Sequence, residues 1–563
     1  MHASVTATRQ SKESVGGAPT RTSSARINRR APETLASSRS LRADTHLLCS
    51  LQAIANRFSD KEVIIVSDLT LAIDAGTTGI TVLVVDDTGS VRGRSYSEFT
   101  QHYPQPGWVE HDADEIWDVT RKVMHEALSA AGIAARDLAA IGITNQRETS
   151  VVWDRQTGRT AANAIVWQCR RSAPICERLR AAGLEDEIRA RTGLVLDPYF
   201  SGTKVVWYLE NVDGLRARAQ AGELAFGTID SWLIYKLTGG TVHATEPSNA
   251  SRTLLYSLHK GDWDDWILDR LEIPRSLLPE IKPSSGRFGE TFDELLDGAH
   301  VPIAGVAGDQ QAALFGQACF VEGMAKNTYG TGSFVLMNTG GTPIPSERGL
   351  LTTAAWDVGL GINYALEGAI FVTGAAVQWL RDGLGVITSS NEVGPLAESV
   401  PDTADTYLVP AFVGLGAPHW DPYARGIYVG ITRGTTKAHL ARAAVEAMAF
   451  QTRDVVETMT EEAGVTLAEL RVDGGASVMD LLCQIQADQL GVPVRRPANL
   501  ETTALGAAYL AGLAEGVWDS IDDLGAAWRA DAEFEPIASR DEVDARYERW
   551  KNAVKRAKRW VEP

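Results

Sequence analysis

Only five cysteines occur in 563 residues: Cys49, Cys169, Cys176, Cys319 and Cys483. They are odd in number, scattered and never spaced as CxxC, which excludes a disulfide framework and a structural zinc site and makes a reducing cytoplasm the expected compartment. No apolar run approaches the roughly 18 residues a membrane-spanning helix needs. The longest uncharged stretch, between Lys326 and Glu347, is broken by Asn, Thr, Gly and Pro. GxxxxGKS/T is missing, so no Walker phosphate loop is present. His111, His243, His259 and His419 lack HExxH or other ligand spacing and read as structural or surface residues. Positive charge is in deficit, with 54 Lys and Arg against 72 Asp and Glu for a formal charge of -18. A field of that sign opposes nucleic acid and anionic membranes, and neither is an expected partner.

What is present suits a large folded protein. Hydrophobic residues make up 44%, and glycine (51) outnumbers proline (22), while the length exceeds what one core absorbs. Residues 1–67 differ from the rest, rich in Ser, Thr, Ala and Arg, with ten Lys/Arg against five Asp/Glu. This stretch is expected to be a disordered extension or an upstream start of the reading frame, with organellar targeting as the competing reading.

Order begins at Leu69. Leu69, Leu71 and Ile73 alternate into a strand, Asp74 to Gly79 turns, and Thr81 to Asp86 returns, predicting a hairpin with a glycine- and hydroxyl-rich tip. A similar pattern recurs at Ala325–Tyr329, Gly330–Ser333 and Phe334–Met337, about 255 residues on, as a duplicated architecture would give. Strands are predicted at 138–144, 150–153 and 302–307. Helices are predicted over 174–191, 263–271, 438–463, 480–490 and 503–515. The alternation implies an α/β protein of two domains, 68–317 and 318–563, around a cleft.

Four constellations carry chemistry. The two Gly-Thr tips turn backbone N–H groups and hydroxyls toward an anion, although a single such tip is often an ordinary turn. Asp74 beside the first supplies a hard oxygen suited to Mg²⁺. A third glycine turn, Asp473 to Ser477, precedes a helix expected near Val478, and Gly374 with Gln378 one helical turn later forms another close-approach surface. Asp309, closing an apolar strand, sits where α/β ligands bind and suits a general base, with a helix N-cap as the alternative. Arg147 and Glu148, read as lying at the base of a hairpin, offer donors and acceptors to vicinal hydroxyls, though such pairs are commonly just solvated. Trp167 and Phe334 offer apolar walls.

The motifs Gly107-Trp108-Val109-Glu110-His111, Ile143 to Thr149, Trp167 to Arg171, Asp197 to Lys204, Ala307 to Gly316, Asn327 to Gly332, Gly414 to Pro418 and Asp421 to Gly426 resemble the glycerol kinases of the FGGY carbohydrate kinase family. The resemblance runs through residues 69 to 560. It implies two actin-like, hexokinase-like ATPase domains around a central cleft, and ATP-dependent phosphorylation of glycerol to sn-glycerol 3-phosphate with Mg²⁺. Carried over by position, Arg147, Glu148, Tyr199, Asp309 and Gln310 would hold the glycerol hydroxyls, and Trp167 and Phe334 would pack on its carbons. Asp309 would be the base and Asp74 would organise Mg²⁺. Thr77, Thr78 and Thr331 would address phosphates, while Gly374, Gln378 and Gly475 would face the nucleoside. A homodimer or homotetramer is implied.

Departures from the family pattern lie on the nucleotide side. Thr81 stands where an arginine is usual at the first tip, and Met479 where an asparagine is usual near adenine. Leu295 to His300 lacks the Gly-Gly-Thr-Arg loop through which some members bind a sugar bisphosphate, so that regulation is expected to be absent. The competing readings are a kinase of another small polyol or triose, and an actin-like nucleotide-binding regulator that has lost catalysis.

Overall fold

The structure is a computed structural model that describes residues 67–561. Apart from Ser67, the basic stretch expected to be a disordered extension lies outside the described residues. Apolar β-branched runs form β1 (Leu69–Ala75) and β2 (Gly79–Asp86), an antiparallel hairpin continued by β3 (Val91–Glu98). On its other side β1 runs parallel to β4 (Ala140–Asn145). β4 in turn runs parallel to β6 (Pro302–Gly308), and β5 (Ser285–Glu290) closes the edge antiparallel to β6. The order is therefore β5-β6-β4-β1-β2-β3. β2 and β4 are buried along nearly their whole length, which is why they read as continuous apolar runs rather than as alternation.

A second, seven-stranded sheet repeats the plan. β7 (Ala325–Tyr329) and β8 (Ser333–Gly340) form its hairpin, extended antiparallel by β10 (Ile362–Ile370) and then β9 (Leu351–Asp357). β7 also runs parallel to β11 (Leu470–Asp473), and β11 to β12 (Val494–Pro497), with β13 (Ala530–Phe534) at the edge. The central strand of each sheet thus carries an antiparallel hairpin on one side and a parallel neighbour on the other. This is the duplication foreshadowed by the two tips.

The helices that matter for the site are α1 (Ala113–Ala131), α2 (Asp309–Gly316), α3 (Gly374–Asp382), α4 (Lys437–Ala463), α5 (Asp480–Leu490) and α6 (Thr502–Glu515). α1 starts where the Asp112 carboxylate accepts from the N–H groups of Asp114 and Glu115, and stops at Gly132 in the left-handed region. The last three match the predicted helices to within a residue. α6 lies between β12 and β13 of the second sheet in sequence yet packs on the first: a Cβ at Gly142 of β4 would lie 2.1 Å from the Ala507 carbonyl oxygen.

Some expectations are corrected. The helix predicted over 174–191 is two, Ala173–Ala181 and Glu185–Thr192, because Gly183 between them takes φ 73°. Trp263 belongs to a two-residue strand, and the helix after it begins at Asp265, capped by Asp264. Arg147 and Glu148 do not lie at a hairpin base: β4 stays in the main sheet, whereas Val151–Asp154 pairs with Leu224–Gly227. α5 starts at Asp480, as the 480–490 prediction has it and two residues after the start near Val478 that the glycine turn by itself suggested.

Candidate functional site

β1, β4 and β6 run in parallel and end in register, Ala75 beside Asn145 and Asn145 beside Gly308. Three segments of the predicted site therefore leave one end of one sheet: the first Gly-Thr tip, the 146–149 loop and the start of α2. Ligands of α/β sheets bind at such carboxyl ends.

Asp309 is the first residue of α2, and the N-cap position falls to Gly308. Its Oδ1 lies 3.1 Å from the Arg147 Nε in an ion pair and accepts the Gln310 backbone N–H at 2.7 Å. Both contacts fall on Oδ1, and among the described residues no hydrogen bond is made to Oδ2. Gly308 is required here by contact, since a Cβ would meet Arg147 Cγ and Cδ at 2.7 Å. Arg147 itself is buried and also donates to Gln311 Oε1 at 3.2 Å and to the Glu367 carboxylate.

Glu148 adopts φ 59°, uncommon for a side-chain-bearing residue. The Ser150 and Ser201 hydroxyls, donating to its carbonyl at 3.1 and 2.9 Å, hold that conformation. Arg252 Nε donates to its carboxylate at 2.7 Å. Burial raises the Glu148 pKa against the pull of Arg252 and Arg147. Tyr199 packs edge-on to Trp167 with ring centroids 5.4 Å apart, and Trp167 Nε1 donates to Thr77 Oγ1 at 3.0 Å. Arg147 lies 5.8 Å from the centroid of the half-buried Phe334 ring. The Gln310 carboxamide oxygen accepts from the buried Lys326 ammonium, leaving its NH₂ as a donor. Arg252 also lies 5.6 Å from the centroid of the Tyr199 ring, so Arg147, Glu148, Trp167, Tyr199, Asp309, Gln310 and Phe334 are linked through direct contacts and the shared partners Arg252 and Glu367.

Asp74, next to the first tip and opposite Thr81 across the hairpin, has its pKa pushed up to about 8 by burial and then by the negative charges of Asp309 and Glu501. A carboxylate so disfavoured by its surroundings fits a divalent cation, whose charge would offset both terms. Among the described residues no cluster of three or more His, Cys, Asp or Glu forms a metal cage.

A cavity of about 570 Å³ opens in the second lobe, lined among others by Thr331, Gly374, Gln378, Gly475, Pro395 and Met479. Gly374 touches the second tip: its N–H donates to the Gly330 carbonyl at 3.0 Å. In the third glycine turn the residue that must be glycine is Gly474, at φ 83° with a hypothetical Cβ 2.5 Å from the Tyr329 carbonyl oxygen, whereas Gly475 faces open space. Thr78 and Thr331 are exposed and Thr77 half-buried.

Sequence reasoning missed Glu367, Arg252, Gln311 and Lys326, all fully buried. A signal existed for Glu367 and Lys326: each is a lone charge inside a strand that is otherwise mostly apolar or neutral, and such a charge needs a buried partner.

The repeated plan of a central strand with an antiparallel hairpin on one side and a parallel neighbour on the other, with a cavity beside the second tip and Asp309 at the carboxyl end of the first sheet, is that of the actin-like ATPase architecture. Sequence comparison narrows this. Models of the FGGY family of carbohydrate kinases match residues 69–316 (N-terminal domain) and 325–515 (C-terminal domain), and the chain belongs to that family. It is 60% identical over 490 residues to a glycerol kinase of Deinococcus radiodurans, covering 87% of this chain and 97% of that protein. It is 56% identical to glycerol kinase 2 of Thermotoga maritima, covering 87% and 99%. The crystal structure of Plasmodium falciparum glycerol kinase with ADP superimposes with TM-score 0.83 at 35% identity, over 87% of this chain and 98% of that one. A xylulose kinase from Lactobacillus acidophilus shares the fold at TM-score 0.78 and 21% identity, over 86% and 98%.

Proposed function

We propose that the protein transfers the γ-phosphoryl group of ATP to the terminal hydroxyl of glycerol, giving sn-glycerol 3-phosphate and ADP. The observation that carries this reading is Asp309 at the sheet's carboxyl end, with one oxygen tied to Arg147 and Gln310 and no hydrogen bond made to the other among the described residues. The terminal oxygen of glycerol attacks the γ-phosphorus. An O–P bond forms, the bond to the β-phosphate oxygen breaks with its electrons leaving on ADP, and the hydroxyl proton passes to Asp309 Oδ2. Arg147, Glu148, Tyr199 and Gln310 hold the hydroxyls, and Trp167 and Phe334 flank the carbons. The contact from Trp167 to Thr77 couples that pocket to the first tip.

Thr77, Thr78 and Thr331 address the phosphates, and Gly374, Gln378 and Gly475 face the nucleoside. Asp74 would hold Mg²⁺, which when bound neutralises charge on the phosphates. In this reading the acceptor belongs to the 68–317 domain and the nucleoside to 318–563, in a cytoplasmic homodimer or homotetramer. The burial of the unpaired Cys169, Cys176, Cys319 and Cys483 agrees with a reducing compartment.

The test is ADP release from MgATP with glycerol, erythritol, dihydroxyacetone or no acceptor. Glycerol is expected to stimulate release most, and Asp309→Asn to reduce it at least about a hundredfold with nucleotide binding retained. Equal turnover on erythritol or dihydroxyacetone would replace glycerol with a broader polyol or triose specificity. No stimulation by any acceptor would leave a nucleotide-binding regulator.

A further inference from the structure

The acceptor-site charges on the first lobe are held by a residue of the second. Glu367 lies in β10, in the second sheet, with no solvent exposure. Its carboxylate accepts from both terminal nitrogens of Arg147, Nη2 at 3.2 Å, and from Arg252 Nη2 at 3.0 Å. Arg252, equally buried, turns its Nε to Glu148 at 2.7 Å, and its Nη1 has no hydrogen-bond partner among the described residues. The chain of contacts runs Asp309, Arg147, Glu367, Arg252, Glu148, so the two ends meant for the acceptor are joined through one carboxylate. Arg147 has three sets of donors, and Glu367 takes the two terminal nitrogens. Toward Asp309 the guanidinium turns its Nε, 3.1 Å from Oδ1.

We propose that Glu367 is a positioning residue of the acceptor site: it confines Arg147 to one oxygen of Asp309 and, through Arg252, orients Glu148, so that recognition of the acceptor depends on a contact made between the lobes. The inference rests on the glycerol reading and deepens it. Without this carboxylate, Arg147 is free to fork onto both Asp309 oxygens, a favoured guanidinium geometry. That occupies the Oδ2 needed for the hydroxyl proton. Arg252 would at the same time lose one of its two carboxylate partners. A buried ion pair that serves only stability would alter folding without separating the two substrates.

The experiment uses full-length Glu367→Gln and Glu367→Asp beside the wild type. It reads KM for glycerol, KM for ATP, kcat, nucleotide affinity without glycerol, and the thermal midpoint. Glu367→Gln is expected to raise the glycerol KM about tenfold or more and lower kcat, with nucleotide affinity within about twofold of wild type. Glu367→Asp, which keeps the charge on a shorter arm, should fall between the two. The proposal is overturned if Glu367→Gln keeps the wild-type glycerol KM and kcat, or if glycerol and nucleotide affinities fall together in both variants. Should Glu367→Gln fail to fold, Glu367→Asp decides alone, and an unchanged glycerol KM there counts against the role. A wild type inactive on every acceptor sinks the functional reading. An active wild type beside an unaltered Glu367→Gln sinks only the positioning role.

Discussion

Replacing Gly506 by alanine sets two physical effects against each other, and the structure says which prevails. Gly506 lies inside α6, where helix propensity alone would make alanine stabilising by up to about 1 kcal/mol. Its added Cβ, however, would lie 1.9 Å from the Ala312 carbonyl oxygen and 2.6 Å from the carbonyl carbon of α2. Both atoms are backbone, so no rotamer change relieves the clash and the helices must separate by more than an ångström. Overpacking of this kind costs typically 1–3 kcal/mol, so the net change is a loss of up to about 2 kcal/mol. Asp309 begins α2, and an ångström of misplacement at a reacting group costs on the order of a hundredfold in rate. Gly525→Ala is the control: it is also helical, but its Cβ would meet only Phe320 Cδ2 at 3.8 Å. Thermal midpoints and kcat of both variants are the assay. Gly506→Ala should lower both, and Gly525→Ala should lower neither. A Gly506→Ala protein as stable and as active as wild type would refute the claim that backbone contact between α2 and α6 sets the position of Asp309.

Other predictions concern the nucleotide side and pH. Thr81→Arg, opposite Asp74 in the first hairpin, should lower the KM for ATP about tenfold, the value of one charge-assisted contact to phosphate; an unchanged KM means that no phosphate passes there. Met479 places a thioether in the wall of the second-lobe cavity, which Gln378, Ser390 and Asn391 also line, so at that position a base bound there would meet no hydrogen-bonding amide. The wild type should therefore use ATP and GTP with kcat/KM values within about tenfold, and Met479→Asn should widen the gap. Burial, followed by the charge of His102, holds His111 at about 4 against an ordinary 6.5. That depressed pKa gives stability that is complete above pH 6.5 and lost as pH falls through 4, amounting to up to about 3 kcal/mol. Denaturation of His111→Gln between pH 7 and 4 should show a shallower acid loss than wild type, and parallel curves would count against the assignment.

Hairpins and long helices were legible because their signals are local. The two Gly-Thr tips sit between β-branched runs, and α4, α5 and α6 end at Gly464, Gly491 and Gly516 in left-handed conformations that stop a helix. The set expected to contact glycerol came through resemblance, since Arg147, Tyr199 and Asp309 lie in different motifs and nothing local joins them. Errors fell where tertiary structure decides. The strand Val151–Asp154 leaves the main sheet to pair with Leu224–Gly227, a choice no local pattern announces.

The buried charges show why the rest stayed hidden. A carboxylate within Tyr364-Ala365-Leu366-Glu367-Gly368-Ala369-Ile370 announces that a cation must meet it, but not which one. Arg147 and Arg252 are 220 and 115 residues away in sequence, and each sits in a polar stretch that reads as an ordinary solvated loop. Desolvation of Glu367 opposes ionisation, yet the two guanidinium groups hold its pKa at about 2, so the group is charged through the whole working range of pH. Replacing such a cluster by apolar residues is often neutral or stabilising. Stability alone therefore gives little reason to keep a carboxylate there, whereas the direction in which Arg147 points gives a specific one.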